Sequence, residues 1–112
     1  MNREFRIYIQ QLVESSQFII DRPKGSTHPR FPDKDYPVDY GYLLGTTSND
    51  SSEVDIWVGS ENKHLVVGVL CTVDLLKRDT ELKILVDCTD YEIHQILDFV
   101  NSDDMRALFI KL

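Results

Sequence analysis

The run "HLVVGVL", residues 64–70, is apolar almost throughout and too short to span a membrane. It reads as a strand buried on both faces, which must lie inside a sheet with covering layers above and below. Its neighbours are short. "QFIID" reads as a strand stopped by Pro23 and Gly25, "YGYLL" begins another, "VDIWV" alternates, and "ELKILVDC" follows "TVDLLKRDT". "TDYEIHQILDFVN" is the clearest helix: Thr89 and Glu92 form a capping box, and Ile93, Ile96, Leu97 and Val100 recur at helical spacing.

Two segments stay open between helix and strand. Residues 3–14 put Phe5, Tyr8, Ile9 and Leu12 on one helical face, but "FRIYI" also alternates. "SDDMRALFIKL" starts with a cap-like serine and acids and is compatible with either ending. Several short strands and a late helix predict one domain over residues 1–112: mainly β with α, a small OB-like antiparallel β-barrel with a packed C-terminal helix.

The 112 residues, 42% hydrophobic and 28% charged, suit an ordinary soluble globule. A formal charge of −7 opposes nucleic acid as partner, because phosphate-backbone binding needs clustered Lys and Arg. The N-terminus "MNREFRIYIQQLVESS" has no long apolar run, so no membrane span or signal peptide is expected. Cys71 and Cys88 are too few for a disulfide framework and read as reduced thiols of a cytoplasmic protein. His28, His64 and His94 lack metal-ligand spacing, and Trp57 reads as core.

Aspartates mark the places where strands meet turns. Asp50 and Asp55 flank "SSEV", and Asp74 and Asp79 flank "LLKR", with the same five-residue offset on each side of the apolar run. Carboxylates gathered on one rim repel unless cations neutralise them, and hard oxygens suit Mg²⁺ or Mn²⁺. An acidic protein can hold an anionic ligand when metal stands between the two. The alternative is that these aspartates cap and solvate their turns.

In this order, "IIDRPKGS", "DYPVDYGYL", "DSSEVD" and "VGVLCTVD…D" resemble the soluble family I inorganic pyrophosphatases over roughly residues 17–86. The resemblance implies Mg²⁺-dependent (or Mn²⁺-dependent) hydrolysis of pyrophosphate or another small phosphate compound, with Asp50, Asp55, Asp74 and Asp79 as metal ligands. It implies Tyr36, Tyr40 and Arg30 as phosphate-positioning residues, Asp21 in place of a strand-end glutamate, and Lys24 as a further phosphate contact. It leaves homo-oligomer assembly open.

The departures lie in the base and the cations. Ser52 stands where the family has the middle aspartate of its D-G-D-P-x-D segment, so Glu53 is the nearest carboxylate for a catalytic role beside Tyr40. The family's active-site arginine has no counterpart, and Glu81 replaces a lysine that Lys83 would reach only by a register slip. Two outcomes are therefore expected: a slow pyrophosphatase-type hydrolase, or a non-catalytic relative that binds metal-phosphate or a protein partner.

Overall fold

A computed structural model describes residues 3–112. The order is α1 (Arg3–Glu14), β1 (Phe18–Arg22), β2 (Asp39–Leu43), β3 (Val54–Val58), β4 (Val66–Asp74), β5 (Asp79–Val86), α2 (Asp90–Val100) and β6 (Met105–Lys111). The strands form one six-stranded sheet in the order β1-β2-β3-β5-β4-β6. β3 and β5 pair in parallel, and every other contact is antiparallel. The result is mainly β with two helices, an OB-like architecture in which a single parallel contact joins the β1–β3 meander to the β4/β5 hairpin.

Both open segments resolve. Residues 3–14 are helix and the C-terminal run is a strand, because β4 offers β6 a free edge from Gly68 to Asp74. The helical face of α1 differs from the expected one: Ile9 and Val13 are buried, while Phe5, Tyr8 and Leu12 are exposed. The helix is rotated so that Gln10 can meet the entry of β4. Its side-chain oxygen accepts from the Val66 N–H at 2.8 Å, and its amide donates to the His64 carbonyl at 2.7 Å.

Each sheet face carries its own core. Ile9, Val13, Leu43, Ile56, Val69, Ile84 and Val86 pack under α1, and Trp57, Leu70, Leu85, Cys88, Ile96 and Val100 pack under α2. From Val66 to Leu70 the apolar run is buried on both sides as expected, Val66 and Val69 serving one core and Val67 and Leu70 the other across a bulge, whereas His64 and Leu65 lie outside β4 and are exposed. The capping box of α2 forms: Thr89 accepts from the Glu92 N–H, and Glu92 accepts from Thr89 and Ser60 N–H groups. Those backbone donors outweigh burial and hold the Glu92 carboxyl below its ordinary pKa. Buried Asp87 is similarly used, accepting from the His64 and Leu65 N–H groups at 3.0 Å.

Gly41, between the two tyrosines of β2, is required by packing. A Cβ there would collide with the Ile19 carbonyl of β1, so only glycine lets the two strands close.

Candidate phosphate site and its carboxylate cluster

Register places the polar residues on one face. Tyr40 lies opposite Trp57 across β2 and β3, Thr72 opposite Glu81 and Asp74 opposite Asp79 across β4 and β5. The parallel contact sets Ile56 beside Ile84 and Trp57 beside Leu85; one residue back, Asp55 comes beside Lys83. Alternation then gives Tyr40, Asp55, Trp57, Asp74, Asp79, Glu81 and Lys83 a shared face. α2 covers its apolar end, and the polar end borders two adjoining clefts, one of which also takes in Val54, Cys71, Val73, Thr80 and Leu82 from the opposite face.

The first cleft, about 910 Å³, gathers the carboxylates Asp50, Glu53, Asp55, Asp79 and Glu81 and the cation Arg106 among largely apolar residues, including Val54, Cys71, Val73, Leu82 and Leu108. The second, about 350 Å³, is aromatic and carries both charges. Arg30, Lys34, Lys77 and Lys83 line it with Asp74, Glu81, Asp103 and Asp104, beside His28, Phe31, Tyr36, Tyr40, Trp57 and Phe99. Tyr36 stacks between His28 and Tyr40, and the Lys34 ammonium lies 4.7 Å from the Phe99 ring centre. The Trp57 indole N–H is buried with no acceptor among the described residues.

Lys83 lines the second cleft and reaches a carboxylate of the first. Its ammonium donates to Tyr40 Oη at 2.6 Å and Asp55 Oδ2 at 2.8 Å and forms an ion pair with Glu81 Oε2 at 3.1 Å. Tyr40 in turn donates its hydroxyl proton to Asp55 Oδ2 at 2.8 Å. Burial alone would lower the Lys83 pKa, but the Tyr40 oxygen and the Asp55 carboxylate outweigh it and hold it above its ordinary value. Burial first, and then the Asp55 charge, keep the Tyr40 phenol protonated well above its ordinary pKa despite the ammonium. Tyr36 is also raised, mainly by burial, with Arg22 pulling the other way from hydrogen-bonding reach. His28 is lowered by burial and then by the charges of Lys34, Arg22 and Arg30.

The predicted site residues are thus partly assembled. Asp50, Glu53, Asp55 and Asp79 share the first cleft, and Arg30, Tyr36, Tyr40 and Asp74 share the second. Asp21 is exposed at a bulge of β1, near enough to influence Tyr36 but outside both clefts. Lys24 is exposed, with its backbone N–H bonded to Asp39 Oδ1 at 2.8 Å. Two aspartates also serve their own turns. Asp50 Oδ1 accepts from the Ser48 hydroxyl and the Ser52 N–H, which lower its pKa, and Asp74 Oδ1 accepts from the Leu76 and Lys77 N–H groups.

The donors suit Mg²⁺ in kind, being hard oxygens, but their arrangement does not fit a resident ion. Among the described residues no three His, Cys, Asp or Glu side chains converge to hold a metal, and the Asp55 oxygen is taken by Lys83. Lys83, Glu81, Lys34 and Trp57 are site residues that sequence reasoning did not select. The visible signal was the alternation "ELK", which puts Glu81 and Lys83 on one face.

No protein-family model and no curated protein matches the sequence. Solved structures do. An inorganic phosphatase from Anaplasma phagocytophilum superposes with a TM-score of 0.58 at 15% identity, covering 84% of this chain and 81% of that one. An inorganic pyrophosphatase from Coxiella burnetii gives 0.59 at 13% identity over 84% and 82%. The inorganic pyrophosphatase from Helicobacter pylori gives 0.54 at 16% identity over 86% and 75%. The shared property at such identity is the fold.

Proposed function

We propose that the domain binds and slowly hydrolyses pyrophosphate, or a related small phosphoanhydride, at the junction of its two clefts. One observation carries this reading: an aromatic cleft that holds Arg30, Lys34 and Lys77 adjoins, at Glu81, a second cleft that brings together Asp50, Glu53, Asp55 and Asp79. The reading is supported further by the pyrophosphatase-type fold.

In the proposed reaction, the Arg30 guanidinium grips one phosphate through paired hydrogen bonds, and Lys34 and Lys77 supply further positive charge. Pyrophosphate enters as its Mg²⁺ or Mn²⁺ complex, so that part of the neutralising charge arrives with the substrate. Such ions keep several waters and need only one or two carboxylates besides phosphate oxygens; Asp50 and Asp79 are available in this role. Water forms the new P–O bond as the bridging P–O bond breaks, giving two phosphates. Glu53 is the carboxylate assigned to accept the water's proton. With Tyr40's hydroxyl proton committed to Asp55, Tyr40 shapes the wall, and Tyr36 is the phenol left to face phosphate.

A second reading, binding without turnover, is favoured by the neutral Ser52 and by the Lys83 contact that closes Asp55. Phosphate release from pyrophosphate, measured with Mg²⁺ and with Mn²⁺, separates the two. Release that is lost in Arg30→Ala supports hydrolysis. No release, together with a pyrophosphate-dependent rise in Tm, selects binding alone. Neither release nor a shift refutes both.

A further inference from the structure

The Asp55 corner is crowded with oxygen and yet holds its own cation. Asp55 Oδ2, Glu81 Oε2 and Tyr40 Oη surround one point at 2.8, 3.1 and 2.6 Å from Lys83 Nζ. An ammonium has three N–H donors and no acceptor; two go to Tyr40 and Asp55, and the Glu81 carboxylate pairs with the same charge. Lys83 is thereby committed to this cluster, although its side chain borders the second cleft. The side chain is only 13% exposed, so the arrangement is a packed feature and not a loose surface pair.

We infer that Lys83 is a built-in counter-ion: its ammonium takes the place among Asp55, Glu81 and Tyr40 that a divalent cation would otherwise fill, and the domain holds no resident metal there. Two carboxylates and a phenol oxygen around one point are a hard-oxygen set of the kind Mg²⁺ and Mn²⁺ accept. A divalent ion and an ammonium cannot share it, because like charges in contact repel. The inference concerns the resting state of the cluster and holds whether or not the domain turns over pyrophosphate.

The test uses Mn²⁺ as probe, with binding followed by the loss of the free-ion electron paramagnetic resonance signal. In the unmodified protein, Asp55→Asn should leave Mn²⁺ affinity within about twofold, since Asp55 is not a ligand. Lys83→Met, of similar length and neutral, should create a site binding Mn²⁺ at least roughly tenfold tighter, about 1.4 kcal/mol. Adding Asp55→Asn to Lys83→Met should abolish that gain. If Asp55→Asn alone removes Mn²⁺ binding, a resident ion uses this carboxylate and the inference is overturned. It is equally overturned if folded Lys83→Met binds no more tightly than the unmodified protein. Should Lys83→Met not fold, the Asp55→Asn comparison still decides.

Discussion

Replacing Lys83 with methionine also probes how much the cluster holds the sheet together. The change keeps the side chain's length and apolar stem and removes the charge, so Asp55 and Glu81 lose their common partner. Stranding one partner of a fully buried pair costs about 3–5 kcal/mol, and an exposed pair is worth about 0–1 kcal/mol. Lys83 is 13% exposed and Asp55 and Glu81 are 31% and 27% exposed, which places this cluster between the two limits. A loss of about 2 kcal/mol follows. For a domain of this size, that lowers Tm by roughly 8 °C. Urea unfolding followed by the fluorescence of Trp57, which packs against Tyr40 at 4.6 Å between ring centres, measures it directly. The pH dependence gives a second reading. The folded-state Lys83 pKa is raised above its ordinary 10.5, so its contribution is complete below that value and is lost as pH climbs through the higher folded value. The gap between the two proteins should therefore stay constant from about pH 7 to pH 9 and close only in stronger base. A loss below about 0.5 kcal/mol, within the ordinary range of surface substitutions, would refute the reasoning. So would a gap that shrinks between those pH values.

Gly41→Ala should cost about 3 kcal/mol, because the added methyl meets the Ile19 carbonyl and β1 cannot withdraw without breaking its pairing with β2; a cost under about 1 kcal/mol would mean the strands adjust freely. Thr89→Ala removes one half of the α2 capping box and should cost about 1 kcal/mol in chemical denaturation, with no change expected if Glu92 alone holds the helix end. Because the folded His28 pKa lies below its ordinary 6.5, the unfolded chain takes up the proton first and stability falls as pH drops below that value. Unfolding free energies at pH 7.5 and 5.5 should show this slope weakened in His28→Asn, and equal slopes would rule out His28 as its source.

Much of the fold was legible locally. β4 announced itself as an unbroken apolar run, α2 by its cap and helical spacing, and the turns at Asp50 and Asp74 by residue type. The face of α1 was not, because Gln10's contacts with His64 and Val66 lie more than fifty positions away in the chain. Likewise, "MRALFIK" becomes a strand because β4 has a free edge, a tertiary circumstance that overrides weak local preference.

The same division runs through the site. Residue types and spacing pointed to carboxylates where strands meet turns, because turn chemistry is a local rule, and only the resemblance in motif order added the phenols and the guanidinium. Which carboxylate meets which cation depended on the parallel contact of β3 with β5, which brings Asp55 against a lysine twenty-eight residues later, and on β2 carrying Tyr40 to the same point from forty-three residues away. Pairing between distant strands follows from how whole strands fit together, and electrostatic attraction acts only once they have met. For that reason the aspartate that the sequence marked as a metal ligand has an ammonium for its partner in the folded chain.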